Sequence, residues 1–264
     1  MGAAVAAGPR LRTGRGEAVA QVGQRAVRDA VVWEALRGVL DGRSRETGRD
    51  RLDIVDAGGG TGGFAVPLAR LGHAVTVVDP SPDSLAALER RAAEAGVSVH
   101  AIQGDAGDLA ELVPAEGADL VLCHNVLEYV EDPAAALGAV RGLLREGAAV
   151  SVLVPNQVAA VINRAVTGRF DEALRVLSDP AGRWGERDPL PRRFTADTLL
   201  AIITEAGLRP AEVHGVRVFA DLLPSGLVDG EPRATDSLVA LERSAATHPA
   251  LRQIAAQLHV LATP

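Results

Sequence analysis

The glycine-rich stretch "VDAGGGTGGF", residues 55–64, is the clearest candidate for a ligand site in this chain. Glycines let a strand turn sharply into a helix and leave no side chain between the backbone and a bound molecule. Read from Gly58, the stretch matches G-x-G-x-x-G, the fingerprint of a loop that approaches a pyrophosphate. Read from Asp56, it is a carboxylate followed by glycine at alternate positions. The glycines alone do not separate these two interpretations.

Asp56 separates them because its charge selects the ligand. A carboxylate two residues before the first glycine would repel the phosphates of a dinucleotide. S-adenosylmethionine carries a sulfonium and an ammonium group and no phosphate, so a carboxylate beside it is favourable. A purely structural role, in which Asp56 caps the turn, is the alternative. The loop therefore favours S-adenosylmethionine as cofactor, with Asp56 and Gly60 among the residues that bind it.

Two further acidic residues follow the next two predicted strands. Asp79 ends "HAVTVVD" and could accept both hydroxyls of a ribose, which either cofactor would offer. Asp105 and Ala106, in "GDAGD", would lie where an adenine amino group could be bound. For Asp105, an ordinary loop acid is the alternative. These loops are expected to meet, because parallel strands bring their carboxyl ends to one edge of a sheet.

The stretch "CHNVLEYVEDP", residues 123–133, would place His124, Asn125 and Glu128 near the reactive sulfur of the cofactor. If the acceptor is a hydroxyl, a general base is needed and His124 is the first candidate; a hydrogen-bonded wall residue is the alternative. Cys123 is interpreted as a buried thiol rather than a nucleophile. The other five histidines show no metal-ligand spacing, so no metal site is predicted.

The chain of 264 residues is acidic, with a formal net charge of −7, and its charge is unevenly distributed. Residues 51–155 contain six arginines and fifteen acidic residues, whereas residues 156–217 contain nine arginines and eight acidic residues. This balance disfavours a broad nucleic-acid surface but permits a local arginine cluster for one anionic substrate. The single cysteine indicates a reducing, cytoplasmic location. No apolar run approaches the roughly 18 residues of a membrane span, so a soluble protein without a membrane partner is expected.

From residue 52 onward, apolar strands alternate with helices. Ser81 and Asp132, each followed by a proline, mark two helix N-termini. Continuous apolar strands between helices indicate an α/β fold with a parallel sheet that is covered on both faces. We expect a tail without fixed structure at residues 1–16 and a single domain over residues 17–264.

Within that domain, residues 52–155 are the predicted cofactor-binding core. Residues 156–194 follow the fifth strand and residues 220–256 precede the last one, and both are predicted insertions on the substrate side. Ligands of open α/β sheets bind beyond the carboxyl ends of the strands. An insertion that leaves this edge directly after the fifth strand is well placed to cover the site.

The ordered motifs resemble the class I S-adenosylmethionine-dependent methyltransferases over residues 52–155: "VDAGGGTG", "HAVTVVDPS", "GDA", "ADLVLCHNVLEYVEDP" and "LLREGAAVSVLVPN". The resemblance implies a Rossmann-like, seven-stranded and mostly parallel sheet whose last strand is antiparallel. The stretches "VHGVRVF" and "QLHVLATP" fit the closing pair of strands around the second insertion.

A narrower set of stretches is similar to the bacterial tRNA carboxymethoxyuridine carboxymethyl methyltransferases: "QRAVRDAVVWEAL", "HNVLEYVEDP", "PNQVAAVINRAVTGRFDEA", "DPLPRRFT", "GVRVFADLLP" and "LHVLATP". Those enzymes methylate the carboxylate of a modified wobble uridine. The resemblance implies that Arg28 reaches the carboxylate of the cofactor's methionine. It also implies that Gly58, Gly59, Asp79 and His124 line the cofactor site.

The chain departs from that family at two places. The aromatic residues expected before the Arg28 helix are replaced by "GRGEAVAQVG", and Gly107 stands where the family has a polar side chain. These departures, like the acidic net charge, bear on the acceptor more than on the cofactor. A small anionic acceptor suits the charge at least as well as tRNA does.

A carboxylate acceptor is already ionised at neutral pH, so it needs a cation to hold it rather than a base to activate it. Arg217 is the first candidate for this catalytic role because it interrupts an apolar stretch. Arg164, Arg192 and Arg193 are further candidates, and a solvated surface arginine is the alternative for each.

The sequence thus predicts a methyltransferase of tRNA modification that acts on a carboxylate, or on a related anionic acceptor. A small-molecule O- or N-methyltransferase of secondary metabolism is the alternative. An NAD(P)-dependent oxidoreductase and a non-catalytic binding module are the rival classes. The sequence does not indicate the oligomeric state.

Overall fold

The computed structural model describes the backbone of residues 14–223 and 232–264 and the side chains of residues 29–223 and 234–264. Residues 1–13 of the predicted tail lie outside the described residues. Within the described part of the chain, no helix combines the length and apolar character needed to cross a bilayer.

The described strands form one seven-stranded sheet in the order β3-β2-β1-β4-β5-β7-β6. The first five strands in this order, β3 to β5, form four parallel pairs, and β7 runs antiparallel to both β5 and β6. The prediction of a mostly parallel sheet with an antiparallel last strand is confirmed. The strands are β1 (Asp53–Ala57), β2 (Ala74–Asp79), β3 (His100–Gln103), β4 (Ala118–His124), β5 (Leu144–Pro155), β6 (Arg209–Val216) and β7 (Gln257–Thr263).

Helices cover the sheet and fill both insertions. Helices α6 and α7 lie between β5 and α8, and α9 lies between β6 and β7, as the two insertions predict. The helices are α1 (Gly14–Thr47), α2 (Ala65–Arg70), α3 (Pro82–Glu94), α4 (Leu109–Leu112), α5 (Pro133–Leu143), α6 (Gln157–Val166), α7 (Phe170–Ser178), α8 (Ala196–Glu205) and α9 (Pro232–Ala246).

Side-chain caps start the helices where the sequence indicates. The Ser81 hydroxyl accepts the Ser84 N–H at the start of α3, and the Asp132 carboxylate accepts two N–H groups at the start of α5. Asn156 caps α6 in the same way, so the first insertion begins directly at the end of β5. Each cap satisfies N–H groups that have no partner within the helix.

The core lies on both faces of the sheet because successive strand residues alternate between them. Ile54 of β1 and Leu122 of β4 belong to the cluster under α1, α2 and α3. Val55 and Cys123 belong to the opposite cluster, under α5 and α8. β1 has β2 on one side and β4 on the other, so the strand order reverses there. The loops after β1 and β4 part at this point and leave a crevice at the carboxyl edge.

Candidate active site

Two neighbouring cavities open at the carboxyl edge of the sheet. The switch-point cavity has a volume of about 620 Å³ and is lined by the loops after β1 to β4, with Gly58, Asp79, Asp105, Ala106 and Val126 among its residues. The insertion cavity has about 430 Å³ and lies among the end of β5, α6 and the segment after β6. Asn125 and Tyr129 line both. A group held in one cavity can therefore meet a group held in the other at these two residues.

The glycine loop turns through conformations that favour glycine. Gly58 has a φ of 70° and its N–H donates to the Val78 carbonyl at 2.7 Å, and a Cβ at this position would overlap the Val126 side chain. Gly60 has a φ of 53° and its N–H donates to the Asp79 carboxylate at 2.8 Å. The loop is thus fastened to β2, and its backbone faces the cavity without side chains.

Asp56 lies directly beneath this loop. It is 3% exposed, and a Cβ on Gly59 would stand 2.6 Å from its carboxylate. Burial, and secondarily the nearby charge of Asp79, raises the pKa of Asp56 to about 7. A buried carboxylate in this state is stabilised in its ionised form by a cation placed beside it.

The lining of the switch-point cavity is acidic. Four carboxylates contribute to it, from Asp79, Asp105, Glu131 and Asp132, and no arginine or histidine is among its described lining residues. These carboxylates would repel the two phosphates of a dinucleotide, whereas they attract a sulfonium and an ammonium group. The residues present therefore fit S-adenosylmethionine, and they do not favour a dinucleotide.

Three of the four candidate arginines line the insertion cavity: Arg164, Arg193 and Arg217. Arg192 instead donates to the carbonyls of Leu127, at 3.3 Å, and Val130, at 3.1 Å, and so fastens the loop after β4. The structure thus separates Arg192 from the other three.

Arg193 and Arg164 already have strong partners. The Arg193 guanidinium binds both oxygens of Asp188, at 2.6 and 3.0 Å, and this pair is buried. Arg164 pairs with Glu172 at 3.0 Å and lies over the Trp184 ring, 4.5 Å from its centroid. Both arginines hold the insertion together.

Arg217 is placed differently from the sequence expectation. Strand β6 ends at Val216, so Arg217 follows the strand instead of interrupting it, and its φ is 59°. The chain leaves the sheet here because the buried Glu242 carboxylate accepts the N–H groups of Val218, Phe219 and Ala220. Among the described residues, Arg217 Nη1 has an ion pair of 3.4 Å with Asp221, and the buried Nε has no hydrogen-bond partner. Arg217 is thus the cavity arginine with free donor capacity.

His124 ends β4 and is hydrogen-bonded inside the sheet. Its Nε2 lies 2.8 Å from the Ser151 hydroxyl, which lies 2.8 Å from Nε2 of His259. Burial lowers the pKa of His124 to about 3, so the ring is neutral. Its Nδ1 is buried without a hydrogen-bond partner among the described residues. This placement matches the wall-residue alternative, because a buried ring with a pKa of about 3 does not readily take up a proton at neutral pH.

Two site residues carry signals that the sequence interpretation used only in part. Glu128 is 3% exposed and lines the insertion cavity, although the sequence placed it near the cofactor sulfur. Tyr129, the only tyrosine in the chain, is 60% exposed where the two cavities meet. The sequence signal for Glu128 and Tyr129 was their position as polar residues shortly after the end of an apolar strand. Burial raises the pKa of Cys123 to about 12, in agreement with a buried thiol.

Other expectations have different outcomes. Arg28 belongs to α1, but its side chain lies outside the described residues, so its role stays a prediction. Among the described residues, no group of three or more His, Cys, Asp or Glu side chains is arranged to hold a metal ion.

The fold and the site define a class I S-adenosylmethionine-dependent methyltransferase, and residues 55–150 match the family model described as a methyltransferase domain. The chain is 33% identical over 199 residues to the tRNA 5-carboxymethoxyuridine methyltransferase of Escherichia coli, which covers 75% of this chain and 73% of that protein. It belongs to the family of that enzyme.

Two other comparisons agree with this class, the first in sequence and the second in fold alone. A ubiquinone biosynthesis O-methyltransferase of Xylella fastidiosa is 32% identical over 179 residues, covering 67% of this chain and 69% of that protein. The structure of a magnesium protoporphyrin IX methyltransferase from Synechocystis with bound SAH aligns with a TM-score of 0.55 and 16% identity, covering 97% of this chain and 89% of that one. The protein is an enzyme, and its cofactor is S-adenosylmethionine. The oxidoreductase and binding-module interpretations are wrong.

Proposed function

We propose that the enzyme transfers the cofactor's methyl group to a carboxylate, that of a 5-carboxymethoxyuridine at the wobble position of tRNA. The observation that carries this proposal is Arg217, which lines the insertion cavity and whose buried Nε has no hydrogen-bond partner among the described residues. Its Asp221 partner stands at 3.4 Å and is part-exposed, so an acceptor carboxylate can displace it or share the guanidinium. The E. coli relative, by its name, acts on this modified nucleoside.

The chemistry of a carboxylate acceptor fits the groups that the site contains. Methyl transfer from a sulfonium is an in-line displacement, in which the new O–CH₃ bond forms as the CH₃–S bond breaks. An ionised carboxylate attacks without losing a proton, so no general base is needed. The neutral, hydrogen-bonded state of His124 agrees with this requirement. Arg217 orients the acceptor, and Asn125 and Tyr129 form the passage between the cavities.

The cofactor residues are proposed on the same grounds. The backbone of Gly58, Gly59 and Gly60 leaves room for the cofactor, and Asp56 beneath them stabilises its cationic end. Asp79 offers the ribose an acceptor with its remaining lone pairs, since one carboxylate oxygen already accepts the Gly60 N–H and the other the Ser81 N–H. Asp105 and Ala106 line the far end of the same cavity, where the adenine would lie. Arg28 for the methionine carboxylate and His124 as a wall of the site complete the proposed set.

A tRNA acceptor also fits the charge of the first insertion. Residues 156–194 contain seven arginines and five acidic residues, and Arg169 and Arg183 in this segment expose more than half of their side chains. Cations at the rim of the cavity can position phosphates without reading bases. Because tRNA is the proposed acceptor, we place the reaction in the cytoplasm.

The test is transfer of labelled methyl into tRNA that contains unmethylated 5-carboxymethoxyuridine, compared with transfer into a small-molecule extract. We expect label in the tRNA, released by mild alkali as a methyl ester would be. Arg217→Ala is expected to raise the KM for tRNA at least about 30-fold, because it removes charge-assisted hydrogen bonds from the acceptor. Binding of the cofactor should change little.

Arg90→Ala is the matched control, since Arg90 lies exposed on α3 away from both cavities and should leave the KM for tRNA unchanged. Label in the extract but not in the tRNA would contradict the tRNA acceptor. Equal KM values for Arg217→Ala and the wild type would show that another group holds the carboxylate.

A further inference from the structure

Glu128 is a buried carboxyl group that the reaction proposed above does not use. It lies in the loop after β4 and is 3% exposed, yet it belongs to the lining of the insertion cavity. Its Oε2 is buried and has no hydrogen-bond partner among the described residues. A buried polar atom without a partner is costly, and it marks a position where a ligand can supply the missing hydrogen bond.

The charged and titratable groups around Glu128 come from every element at this end of the cavity. They are Cys123 beneath it, Tyr129 on its own loop, Arg192, which donates to the Leu127 and Val130 carbonyls of that loop, and Arg164, Arg193, Arg217 and Asp221 in the lining of the cavity. The three arginines that line the cavity have carboxylate partners of their own: Arg164 pairs with Glu172, Arg193 with Asp188 and Arg217 with Asp221. None of them forms an ion pair or hydrogen bond with Glu128 in the part of the chain that the structure describes.

We propose that Glu128 determines specificity by donating a hydrogen bond from its protonated carboxyl group to the acceptor carboxylate. This inference rests on the proposed carboxylate acceptor. One acceptor oxygen accepts a hydrogen bond from the protonated Glu128 carboxyl group, Arg217 in the same cavity binds the acceptor, and the second oxygen stays free to attack the methyl group. The proton remains on Glu128 throughout, so methyl transfer itself involves no proton transfer.

The protonation state of Glu128 then decides whether an anion can enter. Burial raises the pKa of Glu128 to about 7, although its own backbone N–H opposes this effect. Below that pH the neutral acid donates a hydrogen bond, and above it the carboxylate repels a second carboxylate. Activity on an anionic acceptor should therefore fall as the pH rises. A general base for a hydroxyl acceptor would give the opposite slope.

The experiment measures kcat/KM for tRNA from pH 6 to pH 8.5 at saturating cofactor, in the wild type and in Glu128→Gln. Saturation removes any contribution from cofactor binding, including that of Asp56. We expect wild-type kcat/KM to fall about tenfold or more across this range, as expected when the protonated form of a group with a pKa near 7 is the active one. Glu128→Gln keeps a hydrogen-bond donor without a titrating proton, so its profile should be flat.

Glu111→Gln is the matched control, because Glu111 is exposed on α4, and its profile should follow that of the wild type. Thermal unfolding of each variant establishes that it is folded. A wild type that methylates tRNA with the same pH profile as Glu128→Gln overturns this role and leaves the proposed function intact. Absence of tRNA methylation at every pH overturns both.

Discussion

Asp56 shows at the scale of one residue how a binding site is maintained at the expense of the fold. The fold holds the Asp56 carboxylate buried beneath Gly59 and near a second carboxylate, Asp79. Its raised pKa, about 7, means that the fold favours the neutral acid. The ionised form becomes favourable when a cation is bound, so the same residue opposes stability and favours the cofactor.

Asp56→Asn is therefore expected to stabilise the empty protein and weaken cofactor binding. The folded-state pKa of about 7 lies above the unfolded value near 3.8, so the native state binds more protons between these values, and Asp56 costs stability as the pH rises through this window. At pH 8 the variant should gain about 1–3 kcal/mol in free energy of unfolding, whereas near pH 4 the gain should disappear.

Urea unfolding at pH 4.5 and pH 8 measures the stability, and calorimetric titration with S-adenosylhomocysteine and S-adenosylmethionine measures the binding. The charge argument predicts a larger loss of affinity for the sulfonium compound than for the neutral thioether. A variant that loses stability at pH 8, or that binds both compounds as the wild type does, would contradict this role for Asp56.

At the scale of the element, the amino edge of the sheet is held by an ionic cluster around Asp119. Asp119 of β4 is fully buried and accepts hydrogen bonds from Arg43 of α1 at 3.1 Å, Arg145 of β5 at 2.8 Å and Arg49 at 2.5 Å. Burial alone would raise the pKa of Asp119, but the Asp53 N–H and these arginines lower it below its usual value. The cluster ties α1 to two central strands, at the opposite end from the two cavities.

Asp119→Asn should cost about 2–4 kcal/mol in free energy of unfolding, because it removes the fully buried charge that pairs three arginines, of which Arg43 is itself only 11% exposed. Asp53→Asn is the matched control. Asp53 pairs with Arg145 at 2.9 Å but has 45% side-chain exposure, so its loss should stay below about 1 kcal/mol. The Asp119 contribution is present above its unfolded pKa and is lost as the pH falls through the lowered folded value. Denaturant unfolding at pH 7 and pH 3 checks both statements, and equal losses for the two variants would argue against the cluster.

At the scale of the whole molecule, three buried histidines lie on strands that lead from the candidate site to one edge of the sheet: His124 on β4, His259 on β7 and His214 on the edge strand β6. The chain of contacts runs from His124 through Ser151 to His259, and His259 Nδ1 lies 3.2 Å from His214 Nδ1. Burial lowers the pKa of all three rings, with neighbouring histidines adding to the effect at His259. The fold thus favours the neutral rings.

These histidines should make the protein sensitive to acid. A folded-state pKa below the unfolded value of 6.5 means that the unfolded chain binds more protons as the pH falls below that value, so this contribution to stability is lost on acidification. Nitrogen chemical shifts should report neutral rings for His124 and His259 in the folded protein at pH 5. Protonated signals for His124 or His259 in the folded protein at pH 5 would contradict the burial argument.

The sequence by itself predicted the fold and the residues of the proposed cofactor site. The relevant residues stand at the ends of consecutive parallel strands, from Asp56 and Gly58 to Asp79 and Asp105, and parallel strands bring such ends together whatever covers the sheet. The strand–helix alternation and its caps are local signals of the same kind. These expectations therefore held without any knowledge of long-range packing.

Only the tertiary structure showed which of the candidate arginines line the proposed acceptor cavity. The sequence ranked Arg217 first among four arginines because it was expected to interrupt a strand, but contacts distant in sequence are what separate the four. Arg192 donates to a carbonyl after β4, whereas Arg217 follows β6 and lines the insertion cavity. The Glu242 carboxylate binds the backbone that follows Arg217. The burial of Glu128 beside the same cavity likewise depends on how the first insertion folds over it. Residue type and spacing carry no record of such contacts, since they arise only when the insertions pack against the sheet.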